Sequence, residues 1–243
     1  MEKILTIGDI HGKDVWKKLT LDTYDKVVFI GDYVDAFDIS DDQMVNNLLD
    51  IIEFKKSNPH NIILLIGNHE LNYFPKFGYK FYGRSSGFRP QLENVLKDIF
   101  AKNIRLFQYA YQLSDDVRIY LWTHAGVSNG WYHKVFKTQF DSINTVIEDS
   151  MNLADRMNLL FEERFDCMTQ VGWKRGGQYK YGSPIWADKS EFLSTSIPLR
   201  GYYQIVGHNP VKDIKIHMVD DDATIVFTDC LGNKEKGYII KVT

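Results

Sequence analysis

Five short segments of this 243-residue sequence carry side chains that bind hard or borderline cations. They are Gly8-Asp9-Ile10-His11-Gly12, Gly31-Asp32-Tyr33-Val34-Asp35, Gly67-Asn68-His69-Glu70, Thr123-His124-Ala125-Gly126 and Gly207-His208-Asn209-Pro210. Carboxylate, amide oxygen and imidazole without thiolate suit manganese, iron, zinc, nickel or cobalt, and are poor ligands for copper(I) or iron–sulfur clusters. Glycine beside each candidate ligand allows a sharp turn and a close backbone approach to an ion. Singly, each segment has an ordinary explanation: Gly-Asp after a strand is a common turn, Asn68 fits an Asx turn, and a lone histidine is usually a packed one. Five such loops, each following an apolar β-type run, have little reason to coincide by chance.

The elements that must position these loops repeat one grammar. A short β-rich run ends in glycine and a polar residue at 3–8, 27–31 and 62–67, and each run reads as a buried strand ending in a functional loop. Between the second and third runs, Ser40-Asp41-Asp42-Gln43 matches a capping box, and Met44, Val45, Leu48, Leu49 and Ile52 recur at helical spacing. Strand, helix, strand implies crossover connections, a mostly parallel sheet, and loops that open onto a shared crevice. Residues 74–90 have no clean period and read as a cap or loop insertion over that crevice. Further on, 117–123 reads as a strand, 141–165 as largely helical and 172–182 as a glycine-rich connection. The closing runs near Tyr203, Ile214, Thr224 and Tyr238 read as strands. Turn signals at Asp220-Asp221-Asp222 and Leu231-Gly232-Asn233-Lys234 join them as hairpins of an antiparallel sheet. The fold class is α/β, a sandwich in place of a pure doubly wound sheet.

With 44% hydrophobic and 25% charged residues, the chain buries a substantial core, read as one domain over 1–243. A net charge of −3 argues against a protein held to nucleic acid mainly by a broad basic surface, a local basic patch being the alternative that the sum does not register. The apolar start gives way to Gly8-Asp9 too early for a signal-peptide core, and no run approaches membrane-spanning length, which predicts a cytoplasmic protein with no membrane partner. Cys167 and Cys230 lie far apart and match no thiolate metal spacing or disulfide framework.

Taken together, the five motifs resemble the calcineurin-like metallophosphoesterase superfamily, and within it the phosphoprotein phosphatase branch with its bacterial and phage relatives. The resemblance spans nearly the full chain. Ser183-Pro184-Ile185-Trp186-Ala187-Asp188 resembles the branch's Leu-Trp-Ser/Ala segment, and Val226-Phe227-Thr228-Asp229-Cys230 resembles its closing strand. The resemblance implies an αββα sandwich of two mixed sheets flanked by helices. It gives Asp9 and His11 to one metal ion and Asn68, His124 and His208 to a second, with Asp32 as the bridge. The implied cofactor is two divalent or trivalent ions, manganese first among them; two divalent ions would bring about +4 against the −2 of Asp9 and Asp32 and leave a cationic pocket for a phosphate-ester substrate. Such a pair holds a bridging water as hydroxide at neutral pH, so no phosphoenzyme is required. The implied catalytic pair is His69, which protonates the leaving alkoxide, and Asp35, which orients it.

The sequence also departs from that pattern. Where the branch continues Gly-Asp-x-x-Asp with Arg-Gly, this chain has Ala36-Phe37, and alanine cannot replace a bidentate phosphate clamp. Arg84 and Arg89 in the loop after Glu70 are the substitute candidates, with Arg175 next. Pro210 stands where the second histidine of Gly-His-x-His would be, which favours a phosphatase-like over a nuclease-like relative. The expected function is a two-metal phosphomonoesterase acting on phosphoserine, phosphothreonine or small phosphate monoesters. The alternatives are a nucleotide or dinucleoside polyphosphate hydrolase, or a metal-free interaction module, against which the intact ligand set argues. Tyr79, Phe81, Tyr82, Tyr109 and Tyr111 read as lid or core packing around the cap, with base stacking as the other use.

Overall fold

The runs that lead into the first three loops form strands buried on both faces, which is why they show no polar alternation. In the computed structural model, which describes residues 1–74, 85–142, 150–232 and 234–243, these are β1 (Glu2–Ile7), β2 (Lys26–Phe29) and β3 (Ile62–Leu65). They pair in parallel, with Leu5 opposite Val27 and Val27 opposite Ile62. A two-residue β4 (Phe107–Gln108) extends the sheet in parallel, and β10 (Tyr238–Val242) closes the other edge antiparallel to β1. The order is β10-β1-β2-β3-β4. The second sheet has the order β5-β6-β7-β9-β8, built from β5 (Ala110–Ser114), β6 (Ile119–Thr123), β7 (Tyr202–Val206), β8 (Lys215–Asp220) and β9 (Ala223–Phe227).

Period-two alternation divides the first sheet's side chains between two cores. Ile4, Val28, Ile30, Ile63 and Leu65 meet Tyr120, Trp122 and Ile205 of the second sheet. Leu5, Ile7, Val27, Phe29, Ile62 and Leu64 face the other way, into the helices. The helix α1 (Asp41–Ser57) supplies the crossover between β2 and β3, and its Ser40 hydroxyl accepts from the Gln43 amide at 3.2 Å, as the capping box requires. Its buried face is Met44, Asn47, Leu48, Ile51 and Ile52. Leu49, expected on that face, is 38% exposed, because the Met44–Leu48–Ile51 line sets the contact stripe and position 49 lies off it. The helix α2 (Glu93–Asn103), unforeseen in the sequence, buries Leu96 and Phe100, and the helix Leu153–Glu163 packs Met157, Leu160 and Phe161 into the same core.

The observed architecture is therefore two mixed five-stranded sheets flanked by helices, as expected, with one correction of topology. The closing strands are not hairpins of one antiparallel sheet. Of them only β8 and β9 form a hairpin, across Asp220–Ala223; β7 runs parallel to both β6 and β9. β10 departs for the other sheet, with Glu2 opposite Val242. Turn residues fix where the chain reverses, but buried faces decide which strand it then pairs with. Tyr109 and Tyr111 take the packing role read for them in the sequence. Tyr109 is 2% exposed with its hydroxyl donating to the Met168 carbonyl at 2.7 Å, and Tyr111 lies on β5 against Trp122. Both are packing residues. Among the described residues no helix is long and apolar enough to cross a membrane.

Candidate metal centre

Each of the five loops leaves the end of a strand, and both sheets contribute. β1 delivers Asp9 and His11, β2 delivers Asp32 and Asp35, β3 delivers Asn68 and His69, β6 delivers His124, and β7 delivers His208. The local backbone is unusual at these points. Among the described residues the non-glycine positions with positive φ are His11 (43°), Asp32 (51°), Asp35 (62°) and His208 (61°). Every one lies in these loops. Left-handed backbone at a residue with a Cβ costs free energy and persists only where surrounding contacts over-determine it.

Those contacts aim lone pairs at one point. The His124 Nδ1–H donates to the Ile30 carbonyl at 2.9 Å, so the ring's Nε2 presents a lone pair, and the His11 Nδ1–H does the same to Val34 O at 3.0 Å. His124 Nε2 stands 3.1 Å from Asn68 Oδ1, 3.2 Å from His208 Nδ1 and 3.3 Å from Asp32 Oδ2. Nε2 of His11 and of His69 lie 3.7 and 3.8 Å from the same Asp32 oxygen. Two groups of donors thus share Asp32, one with His11 and His69 and the other with His124 and His208. Lone-pair atoms packed this closely are held together by a cation or a shared proton. The residues around Asp32 fit the binding of a first-row metal.

Close packing behind the ligands supports that fit. A Cβ on Gly67 would lie 2.1 Å from Asp32 Oδ1, and one on Gly207 would lie 2.0 Å from Asp9 Oδ1. The glycines therefore make room for the carboxylates themselves. Asp9 is turned toward this second contact: its oxygens accept from the His208 amide at 2.9 and 3.0 Å. Glu70, to which the sequence reading gave no role, is fully buried and ties the loops together. Its carboxylate accepts from the amides of Asp32, Tyr33 and Gly67 at 2.9, 2.8 and 2.8 Å. The only signal for it was its place in Asn68-His69-Glu70.

The electrostatics reflect many charges in a dry place. Burial works against a charged His124 ring, but Asp32 and Asp9 overcome it and raise the group to about 9. His69 is likewise raised to about 9 against burial, by Asp32, Asp35 and Glu70. Burial disfavours ionised Asp32 too, yet the surrounding imidazoles hold it well below the usual carboxylate range. Burial and the neighbouring Asp229 push Asp9 upward, and burial and Asp32 raise Asp229 to about 6. Burial and His124 push His208 down, which keeps it neutral, and its Nε2 is buried without a hydrogen-bond partner.

The site opens into a cavity of about 330 Å³ whose lining includes Asp9, His11, Asp32, Asn68, His69 and His208. Asp35 contacts His69, Oδ2 to Nδ1, at 3.0 Å. Of the candidate arginines, Arg175 lines the cavity, held by Asp188 at 2.8 Å and donating to Asn209 Oδ1 at 2.7 Å. Arg89 does not line it; its guanidinium is committed to Asp41 and to the carbonyls of Ala36 and Ile39, where it clips the turn before α1. Arg84 lies outside the described residues, as do Tyr79, Phe81 and Tyr82. Lys13, Phe37, Trp186 and Asp229 line the cavity without having been singled out for it.

The model of the calcineurin-like phosphoesterase family matches residues 2–212. Among solved structures, the chain is similar to a protein serine/threonine phosphatase from Saccharomyces cerevisiae with similarity to human phosphatase PP5. The TM-score is 0.48 and the identity 20%, over 93% of this chain and 67% of that one. No curated protein matches the sequence. Strand-end loops, donor set and family match agree, and the chain belongs to the calcineurin-like phosphoesterase family of metal-dependent phosphoester hydrolases.

Proposed function

We propose that this chain is a two-metal phosphomonoesterase of the serine/threonine protein phosphatase type, with manganese as the first metal to test. The observation that carries the reading is the ring of lone-pair atoms around Asp32 Oδ2, with His69 beside it. In this reading Asp9 and His11 hold one ion, Asn68, His124 and His208 hold the other, and Asp32 is shared. Bound there, the ions supply an activated water and neutralise charge on the phosphoryl oxygens.

The remaining work falls to the chain's own groups. His69 lines the cavity while its Nδ1–H is anchored on Asp35, so Nε2 is the atom that hands a proton to the leaving oxygen. Asp35 stabilises the protonated ring and fixes its plane. Arg175, from the glycine-rich turn, takes the phosphate-binding part that Ala36 cannot. Phe37, 80% exposed at the cavity, favours a second reading of specificity in which a nucleotide's base stacks on its ring.

The test is elemental analysis of purified protein together with hydrolysis of nitrophenyl phosphate before and after chelation and with manganese restored. About two ions per chain and chelator-sensitive, manganese-restored turnover are expected. Protein without bound metal and without turnover in manganese would overturn the reading. Phosphopeptide and dinucleotide substrates side by side separate the two specificities.

A further inference from the structure

Asp35 is held by more than His69. It is 2% exposed and has a φ of 62°, a backbone conformation that an aspartate keeps only under constraint. The Tyr73 hydroxyl donates to its Oδ1, and the Ser85 hydroxyl donates to its Oδ2 at 3.1 Å, the oxygen that also meets His69. The Asn72 side-chain amide donates to Ser85 Oγ and, at 3.2 Å, to the His69 carbonyl, so the serine and the histidine are tied to the same side chain. Gly87 (φ 82°) lies so close that a Cβ on it would meet the Asp35 carbonyl oxygen at 2.9 Å. Phe88 stacks on the Tyr73 ring at 5.4 Å and 14°. Residues 85–88 therefore lie against Asp35 from outside the strand-end loops, and Tyr73 from beneath. Burial and the Asp35 carboxylate both push the Tyr73 phenol upward, which keeps it a hydrogen-bond donor.

The geometry points to Tyr73 and Ser85 as positioning residues that fix the Asp35 carboxylate, and through it the orientation of the proton-donating His69. Three donors on two oxygens leave the carboxylate one orientation, in which Oδ2 faces the ring nitrogen. Remove Tyr73 O–H and Oδ1 is left a buried acceptor without that donor; remove Ser85 O–H and Oδ2 loses its second restraint. In either case the carboxylate can turn about χ2, and His69 loses alignment with the leaving oxygen while the metal ligands keep theirs. The inference rests on the proposed general-acid role of His69.

The experiment compares an alkyl phosphate, such as a phosphoserine peptide, with nitrophenyl phosphate, whose leaving group departs with little need of a proton. Proteins carrying Tyr73→Phe, Ser85→Ala, Ser85→Thr and, as the reference, His69→Asn are assayed with metal content and thermal midpoint measured alongside. Tyr73→Phe and Ser85→Ala are each expected to lower the alkyl-to-nitrophenyl ratio of kcat about tenfold, with KM and metal content near wild type. Ser85→Thr, which keeps the hydroxyl, is expected to restore most of the ratio. An unchanged ratio in Tyr73→Phe and Ser85→Ala, with His69→Asn lowering it, would overturn the inference and leave the general acid in place. A ratio that His69→Asn also leaves unchanged would overturn both. Equal losses on both substrates, accompanied by loss of metal, would reduce Tyr73 and Ser85 to structural supports and overturn the positioning role.

Discussion

Replacing Gly67 with alanine tests whether the loops are packed as tightly as the structure has them. The new Cβ would lie 2.1 Å from Asp32 Oδ1 and 2.4 Å from the Asp32 amide nitrogen. Relieving both contacts requires the two strand ends to part by about 1 Å. Gly67 is not in the left-handed region, so the cost is contact and not backbone conformation. Parting the strands stretches the bonds by which Glu70 Oε2 joins the amides of Asp32 (2.9 Å) and Gly67 (2.8 Å). Overpacking costs about 1–3 kcal/mol, and a weakened bond to a buried carboxylate about 1.5–3 kcal/mol more. The sum, about 2.5–6 kcal/mol, lowers the thermal midpoint of a chain of this size by roughly 5–25 °C. Because the displaced residue is Asp32, metal content falls as well under the proposed ligand set. The assay is thermal denaturation of chelated and metal-loaded protein with metal analysis. Gly232→Ala is the control, since nothing lies within 4 Å of its added Cβ and a change of less than about 0.5 kcal/mol is expected there. A Gly67→Ala protein with the wild-type midpoint and full metal content would refute the reasoning.

Three further outcomes are expected. In chelated protein, His69 and His124 have folded-state values raised to about 9 from 6.5, so the stability they contribute is fully present below pH 6.5 and is lost as pH rises through 9. The thermal midpoint should fall across that window, and fall less with manganese bound, because the cations take the place of those protons. Arg175→Ala should lower kcat/KM on phosphate esters about tenfold to a hundredfold with metal retained, whereas Arg89→Ala should lower the thermal midpoint and leave KM unchanged. Steady-state kinetics and melting curves separate the two. Under the proposed ligand set His124→Ala should reduce bound metal from about two ions per chain to about one, measured by elemental analysis, as its Nε2 meets Asn68 Oδ1, His208 Nδ1 and the shared Asp32 Oδ2.

Much of the site is legible in the sequence because each part is local. A strand that ends in Gly-Asp or Asn-His places its ligand at the sheet's end whatever else the chain does, so the grouping of His11, Asp32, Asn68, His124 and His208 follows from five separate strand-end motifs. The two-faced burial of β1, β2 and β3 was also readable, since a run of Val, Ile and Leu without alternation needs cover on both sides. The capping box at Ser40 fixed where α1 begins.

What the sequence by itself determined, then, is the kind of side chain at each strand end and the family those motifs belong to; long-range contacts decided the rest. Nothing local tells that Arg89 is consumed by Asp41 and two carbonyls while Arg175, 86 positions later, lines the cavity, because a guanidinium's partner is chosen by what folds beside it. The reach of Glu70 to three amides across two loops, and that of Ser85 to an aspartate 50 residues earlier, are likewise contacts between segments. The departure of β10 to the far edge of the first sheet has the same origin: turn chemistry is local, but the buried face that a strand completes belongs to the whole fold.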